Sequence, residues 1–238
     1  MSITSNDIKA GPAHLEHKLT PRLRDDLGAK ARKCRISAAE SFCLAYLTHQ
    51  AAKLTEDAAP KKAFWETALA LYEQVADKWT SGEPAFYARY AAGIIAQNLD
   101  HPWPKVEEKF LSAFQTLPSR GEPILRIIHY YQSKQQWPTA YLFSKFAREQ
   151  FYGRLPTKGN WGLDKSLYTW KILDIHKVSC YYVQKIDEAT AAYSILCRLI
   201  SENPDSFLAE DITRISRQKF LFPGFASYEK DRTQYHLQ

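Results

Sequence analysis

The pair Trp-Pro stands at Trp103-Pro104 and again at Trp137-Pro138, 34 residues apart, and each copy leads into apolar residues at matching offsets. A period of this size marks stacked helical hairpins, units too small to bury an apolar face alone, which borrow a neighbour's. After Trp103 come Val106, Phe110, Ala113 and Pro118; after Trp137 come Ala140, Ser144 and Ala147, with a serine in the slot that should hold a large residue. Trp65, Ala68, Tyr72 and Val75 fit the same template more loosely, as do Ile186, Ala189, Tyr193 and Leu196. Positions three and four apart share a helix face, so a small residue admits the next helix and a large one fills the notch beside it. Spacings of 38, 34 and 49 residues between the units describe a degenerate array, and an insertion, YGRLPTKGNWGL at 152–163, accounts for the widest gap.

The punctuation agrees. Ser37 with Glu40 three residues on reads as a capping box that opens a helix over about 37–54. Pro60 suits the first turn of the next, and SGEP at 81–84, DHPWP at 100–104 and PSRGEP at 118–123 separate the helices that follow. Helices of eleven to fifteen residues with short joints are the lengths expected of antiparallel hairpins. A long helix is predicted from Asp164 to Val183 and a last one near 206–219. Only nine glycines in 238 residues fit this better than a turn-rich β architecture, and 45% hydrophobic residues are ample for a core.

Charge is unevenly placed. The net charge of +6 is concentrated in a leader, residues 1–35, where eight basic residues between Lys9 and Arg35 face Glu16, Asp25 and Asp26. Such an arm either binds phosphate, an anionic surface or an acidic partner, or is a solvated tail. The repeat domain is expected over 36–222, with the insertion at 152–163 inside it and a tail at 223–238. No stretch is long and apolar enough for a transmembrane segment, and the N-terminus lacks the apolar core of a secretory signal, so a cytoplasmic location is expected. Cys34, Cys43, Cys180 and Cys197 show no CxxC spacing and read as buried reduced thiols.

The fold class expected is therefore all-α: a tetratricopeptide (TPR)-like α-α solenoid of antiparallel helical hairpins, a right-handed superhelix. Within it, Arg120, Glu122 and Pro123, the run Ala140, Tyr141, Leu142 and Phe143, then Trp170, Leu173 and Asp174, and finally Val178, Ser179, Tyr181 and Tyr182 carry a more specific likeness. Together they resemble the TPR-like helical region attached to bacterial family-2 glycosyltransferases. The likeness covers about half the chain. Gln184 stands where those regions usually have glycine. The chain has no Asp-x-Asp motif and no room for a nucleotide-sugar domain, so the resemblance implies the helical companion without the enzyme.

The remaining search for chemistry is thin. There is no phosphate loop, dinucleotide fingerprint, nucleophile elbow or His-Glu-x-x-His. His14 and His17 lack a third ligand nearby and read as a solvated pair, so neither metal nor cofactor is expected. His176 and Asp174, two apart on one helix, point to different faces. The candidate groove comprises Tyr87, Tyr90, Arg120, Glu122, Tyr131, Tyr168, Trp170, Asp174, Ser179 and Tyr182. Its phenols suit peptides or sugar rings. Its polar members either line that groove or satisfy buried groups where the insertion packs. The expected function is a non-catalytic scaffold binding a protein partner, a glycosyltransferase or other glycan-assembly protein being what the resemblance implies. The alternatives are a nucleic-acid or anionic-surface binder anchored by the leader, and an enzyme whose site is assembled by the inserted loop.

Overall fold

A computed structural model describes residues 21–32, 36–157 and 161–221. The expectations for most of the leader, for His14, His17 and Cys34 and for the tail fall outside the described residues. The protein is all-α, with no strand among the described residues, and no described helix is long and apolar enough to cross a membrane. Its residues form two compact units. The first is drawn from Met1–Pro123 with Pro156–Leu163, the second from Ile124–Leu155 with Asp164–Gln238.

The first unit contains α1 (Pro21–Arg32), α2 (Ala38–Leu54), α3 (Ala58–Lys78), α4 (Glu83–Asn98) and α5 (Trp103–Thr116), each packed on the next. The capping box opens α2: the Ser37 hydroxyl accepts from the Glu40 amide at 3.2 Å, and the Glu40 carboxylate accepts from the Ser37 amide at 3.0 Å. The inward residues of α3 include Trp65, Ala68, Tyr72 and Val75, and those of α5 are Val106, Phe110 and Ala113, the positions picked out by spacing. One notch is visible atom by atom. A Cβ built on Gly93 of α4 would lie 2.6 Å from Cε1 of Phe110, so the ring of α5 occupies the space that a side chain on α4 would need.

Trp161, from the insertion, is buried in this unit. Its ring lies 5.2 Å from Phe42 and 5.6 Å from Tyr87. Its backbone is gripped at both ends. The amide donates to the Glu83 carboxylate, and the carbonyl accepts from Nη2 of Arg120 at 2.9 Å. Arg120 is fully buried, paired with Glu122 at 2.9 Å, and its guanidinium lies 4.7 Å from the centroid of the Phe86 ring. A buried guanidinium requires this completeness, since a missing partner would leave a charge stranded in apolar surroundings.

The second unit holds α6 (Glu122–Ser133) beyond Pro123, α7 (Trp137–Phe151), α8 (Ile172–Tyr182), α9 (Ile186–Glu202) and α10 (Ala209–Ser216), with α8 packed between α7 and α9. The long helix expected from Asp164 instead includes a π-helical turn, Leu167–Lys171, before α8. The last helix is α10 flanked by 3₁₀ turns. Ala140, Ser144 and Ala147 of α7 are buried, as are Ala189, Tyr193 and Leu196 of α9.

Helices α4, α6 and α8 end in one kind of turn. Asp100, Gln135 and Gln184 adopt φ of 54°, 56° and 61°. In each turn the next residue's amide reaches back five residues, His101 to Ala96, Gln136 to Tyr131 and Lys185 to Cys180, at 2.9–3.0 Å. These are Schellman caps, in which the left-handed residue turns the chain so that orphaned carbonyls are satisfied. Glycine is the usual occupant; here Asp and Gln accept the steric cost.

Candidate functional site

The predicted groove residues divide between the units. In the first, Tyr87 and Tyr90 are half-buried, Tyr90 stacked on Phe86, while Arg120 and Glu122 meet at the Trp161 clamp. Burial raises the Tyr87 phenol well above its ordinary range, with Tyr46 the next contributor.

In the second unit, Tyr168 and Trp170 are buried. Trp170 donates from Nε1 to the Ser206 carbonyl at 3.1 Å and stacks on Phe207. Asp174 accepts from Lys177 at 2.6 Å and from Arg214 at 2.8 Å, which fastens α10 to α8. Lys177 is buried, which lowers its pKa below the usual lysine range against the opposing pull of Asp174. Ser179 accepts from Gln132 at 2.9 Å. Tyr131 is half-buried and stacked on Phe143. Tyr182 alone among the ten is exposed, at 51%, with its ring 3.8 Å from that of Trp137 and nearly parallel to it. Leu142 and Phe146, four apart on α7, are exposed as well.

A denser constellation lies where α7, α8 and α9 of this unit meet, and sequence reasoning passed over most of it. His176 and Cys180, four apart on α8, face the same way and are both fully buried. Sγ of Cys180 lies 3.3 Å from Nε2 of His176. Oε2 of Glu188, from the first turn of α9, lies 3.7 Å from that nitrogen and 4.0 Å from the sulfur. Two groups of α7 hold the cluster from behind. Ser144 donates to its own helix at the Tyr141 carbonyl, which leaves its oxygen to accept from Nδ1–H of His176 at 3.0 Å. The Tyr141 hydroxyl donates to the Glu188 carboxylate at 3.1 Å. With Nδ1–H donating to Ser144, Nε2 carries the lone pair, and Sγ of Cys180, 3.3 Å from Nε2 and 3.7 Å from Nδ1, lies over the face of the ring.

Burial brings His176 down to about 4, reinforced by Arg148, and pushes the Cys180 thiol up to about 12, reinforced by Glu188. The pair is thus a neutral imidazole beside a protonated thiol. That is the opposite of the thiolate-imidazolium pair that a nucleophilic cysteine needs. Asp174, two residues from His176, faces Lys177 and Arg214 instead, as their spacing dictates. The available sequence signal was Ser144. Tyr72, Phe110 and Tyr193 fill the corresponding slots of the other units, whereas the serine leaves room for the imidazole of the neighbouring helix.

The first unit also holds an open cleft of about 660 Å³ lined by Lys53, Lys61, Lys62, Trp65 and Asp100. Of its lysines, Lys53 and Lys62 are exposed and Lys61 is half-buried. Compared with known proteins, the chain matches no family model, no curated protein and no solved structure.

Proposed function

We propose that the protein is a non-enzymatic, TPR-like scaffold that binds a protein partner through the second unit, in glycan or surface-polysaccharide assembly. The observation that carries the reading is the exposed Tyr182, stacked on half-buried Trp137, together with Leu142 and Phe146 on the outward side of α7. A rigid aromatic on regular secondary structure gives a large contact area at low entropic cost, the character of an interface anchor. The repeated small/large register and the recurring Schellman turn support stacked hairpins as the architecture. The glycan-assembly assignment rests on the likeness carried by Arg120 to Tyr182.

A photo-crosslinking residue placed at Tyr182 or Leu142 in cells is expected to trap one defined glycan-assembly protein, whereas the same residue at exposed Glu66 traps none. Tyr182→Ala with Leu142→Ser should weaken binding of that protein at least tenfold while leaving the helical circular dichroism unchanged. Equal trapping at all three positions refutes the surface, and turnover of a nucleotide-sugar by the isolated chain refutes the non-enzymatic reading.

A further inference from the structure

Three donors of types that suit one metal converge in the second unit: an imidazole nitrogen with its lone pair free, a thiol sulfur and a carboxylate oxygen, all within 4.8 Å of one another. Their separations correspond to a particular coordination. Zinc bonds of about 2.3 Å to sulfur and about 2.0–2.2 Å to nitrogen and oxygen, set at tetrahedral angles, place ligand atoms about 3.3–3.6 Å apart. The observed edges are 3.3, 3.7 and 4.0 Å. Because Sγ lies over the ring face, an ion on the Nε2 lone pair requires the Cys180 side chain to rotate toward that axis and the partly exposed Glu188 side chain to close on the ion.

We propose that Nε2 of His176, Sγ of Cys180 and the Glu188 carboxylate bind a zinc-class divalent ion, with a water or an external ligand in the fourth position on the Glu188 side. Thiolate with imidazole selects zinc over magnesium or calcium, which prefer all-oxygen shells. The supporting groups are those that metal sites use. Ser144 fixes the imidazole from Nδ1, and Tyr141 orients the carboxylate, as partners behind the ligands do in known zinc centres. Bound metal would join α8 to α9 directly. Three protein ligands with one open position is the arrangement of a site that exchanges ligands, so it adds a small-molecule or partner-donor contact that the scaffold reading does not contain.

The test uses the full chain, reduced and stripped with a chelator. Zinc is titrated against a chromophoric competitor, and cobalt(II) is added separately as a spectroscopic probe. One zinc per chain is expected, with a thiolate-to-cobalt charge-transfer band and tetrahedral d–d absorption. Glu188→Gln, at a part-exposed position, and Ser144→Ala, a one-atom deletion, are the deciding variants, with circular dichroism of the metal-free proteins checking that both fold. Glu188→Gln should weaken zinc by more than tenfold, and Ser144→Ala by about 10- to 100-fold, the usual effect of removing a group behind a ligand. His176→Gln and Cys180→Ser should abolish the cobalt band, Cys197→Ser should leave it intact, and a His14→Gln/His17→Gln variant should bind as the parent does. Zinc affinity unchanged in Glu188→Gln, binding lost with His14 and His17, or a cobalt spectrum without the thiolate band overturns the site. Partner crosslinking is independent of these readouts, so failure here leaves the scaffold reading standing.

Discussion

Alanine at Gly93 separates two opposing effects. In an exposed helix, Gly→Ala gains about 0.8–1.0 kcal/mol of propensity. At position 93 the new methyl would sit 2.6 Å from Cε1, 2.7 Å from Cδ1 and 3.2 Å from Cζ of Phe110. The ring cannot simply retreat: Phe110 is fully buried, with Tyr90 at 6.0 Å and Trp103 at 6.4 Å between ring centres. Overpacking of this kind costs about 1–3 kcal/mol, contacts this short place it in the upper half, and subtracting the propensity gain leaves a net loss of about 1–2 kcal/mol. Phe110→Leu alone should cost about 1–1.5 kcal/mol through lost burial. Combined with Gly93→Ala it should relieve the clash, so the double variant is more stable than the sum of the singles by about 1–2 kcal/mol. Urea unfolding followed by circular dichroism measures all four proteins. A Gly93→Ala protein as stable as the parent, or a cycle additive within about 0.5 kcal/mol, would refute the notch between α4 and α5.

Acid should destabilise the chain through His49, which packs against Trp65 and Tyr72 with neither ring nitrogen hydrogen-bonded among the described residues. Burial, then Lys53, lowers its pKa from 6.5 to about 4, so the unfolded chain takes up a proton first as pH falls below 6.5. The His49 contribution is full above that value and declines toward pH 4, by about 2 kcal/mol between pH 7 and pH 5, and His176 adds to the slope in the same window; denaturant midpoints across this range check it, and a His49→Leu protein that keeps the whole slope would exclude the residue. Gln184→Gly should raise the melting temperature slightly. Relief of a left-handed strain of about 1–2 kcal/mol outweighs the entropic cost of glycine, about 0.5–1 kcal/mol, whereas Gln184→Val should lower it; the reverse order in a thermal melt would contradict the turn assignment.

Helix positions and inward faces were legible because burial imposes its own period: Trp65, Ala68, Tyr72 and Val75 lie on one face of α3 for the reason that made them visible. The Ser37 capping box was equally plain, since both of its halves are local. The turns at Asp100, Gln135 and Gln184 were hidden by residue type, because the left-handed conformation is announced by glycine and none stands there. The cluster at His176 was hidden for a different reason. Its members come from three helices, Glu188 lies eight residues beyond Cys180 across a turn, and Ser144 is 32 residues before the imidazole it orients. Reading His176 against Asp174 compared neighbours in sequence, whereas the donors that count are neighbours across helices. Arg120 and Glu122 stood out in the sequence as polar positions; in the structure they pair with each other, and Arg120 holds the Trp161 carbonyl.

That clamp has an implication for biosynthesis. The first unit takes Trp161 from a segment made only after residues 124–155 have been translated. At ribosomal speeds of about 5–20 residues per second, Arg120 and Glu122 emerge roughly 2–8 s before the tryptophan whose carbonyl completes their hydrogen bonds. A nascent chain halted at Pro123 therefore carries a guanidinium facing a hole. The N-terminal half of this protein matures only when its successor is already under way, and a fragment cut at that point should be a poor substitute for the whole.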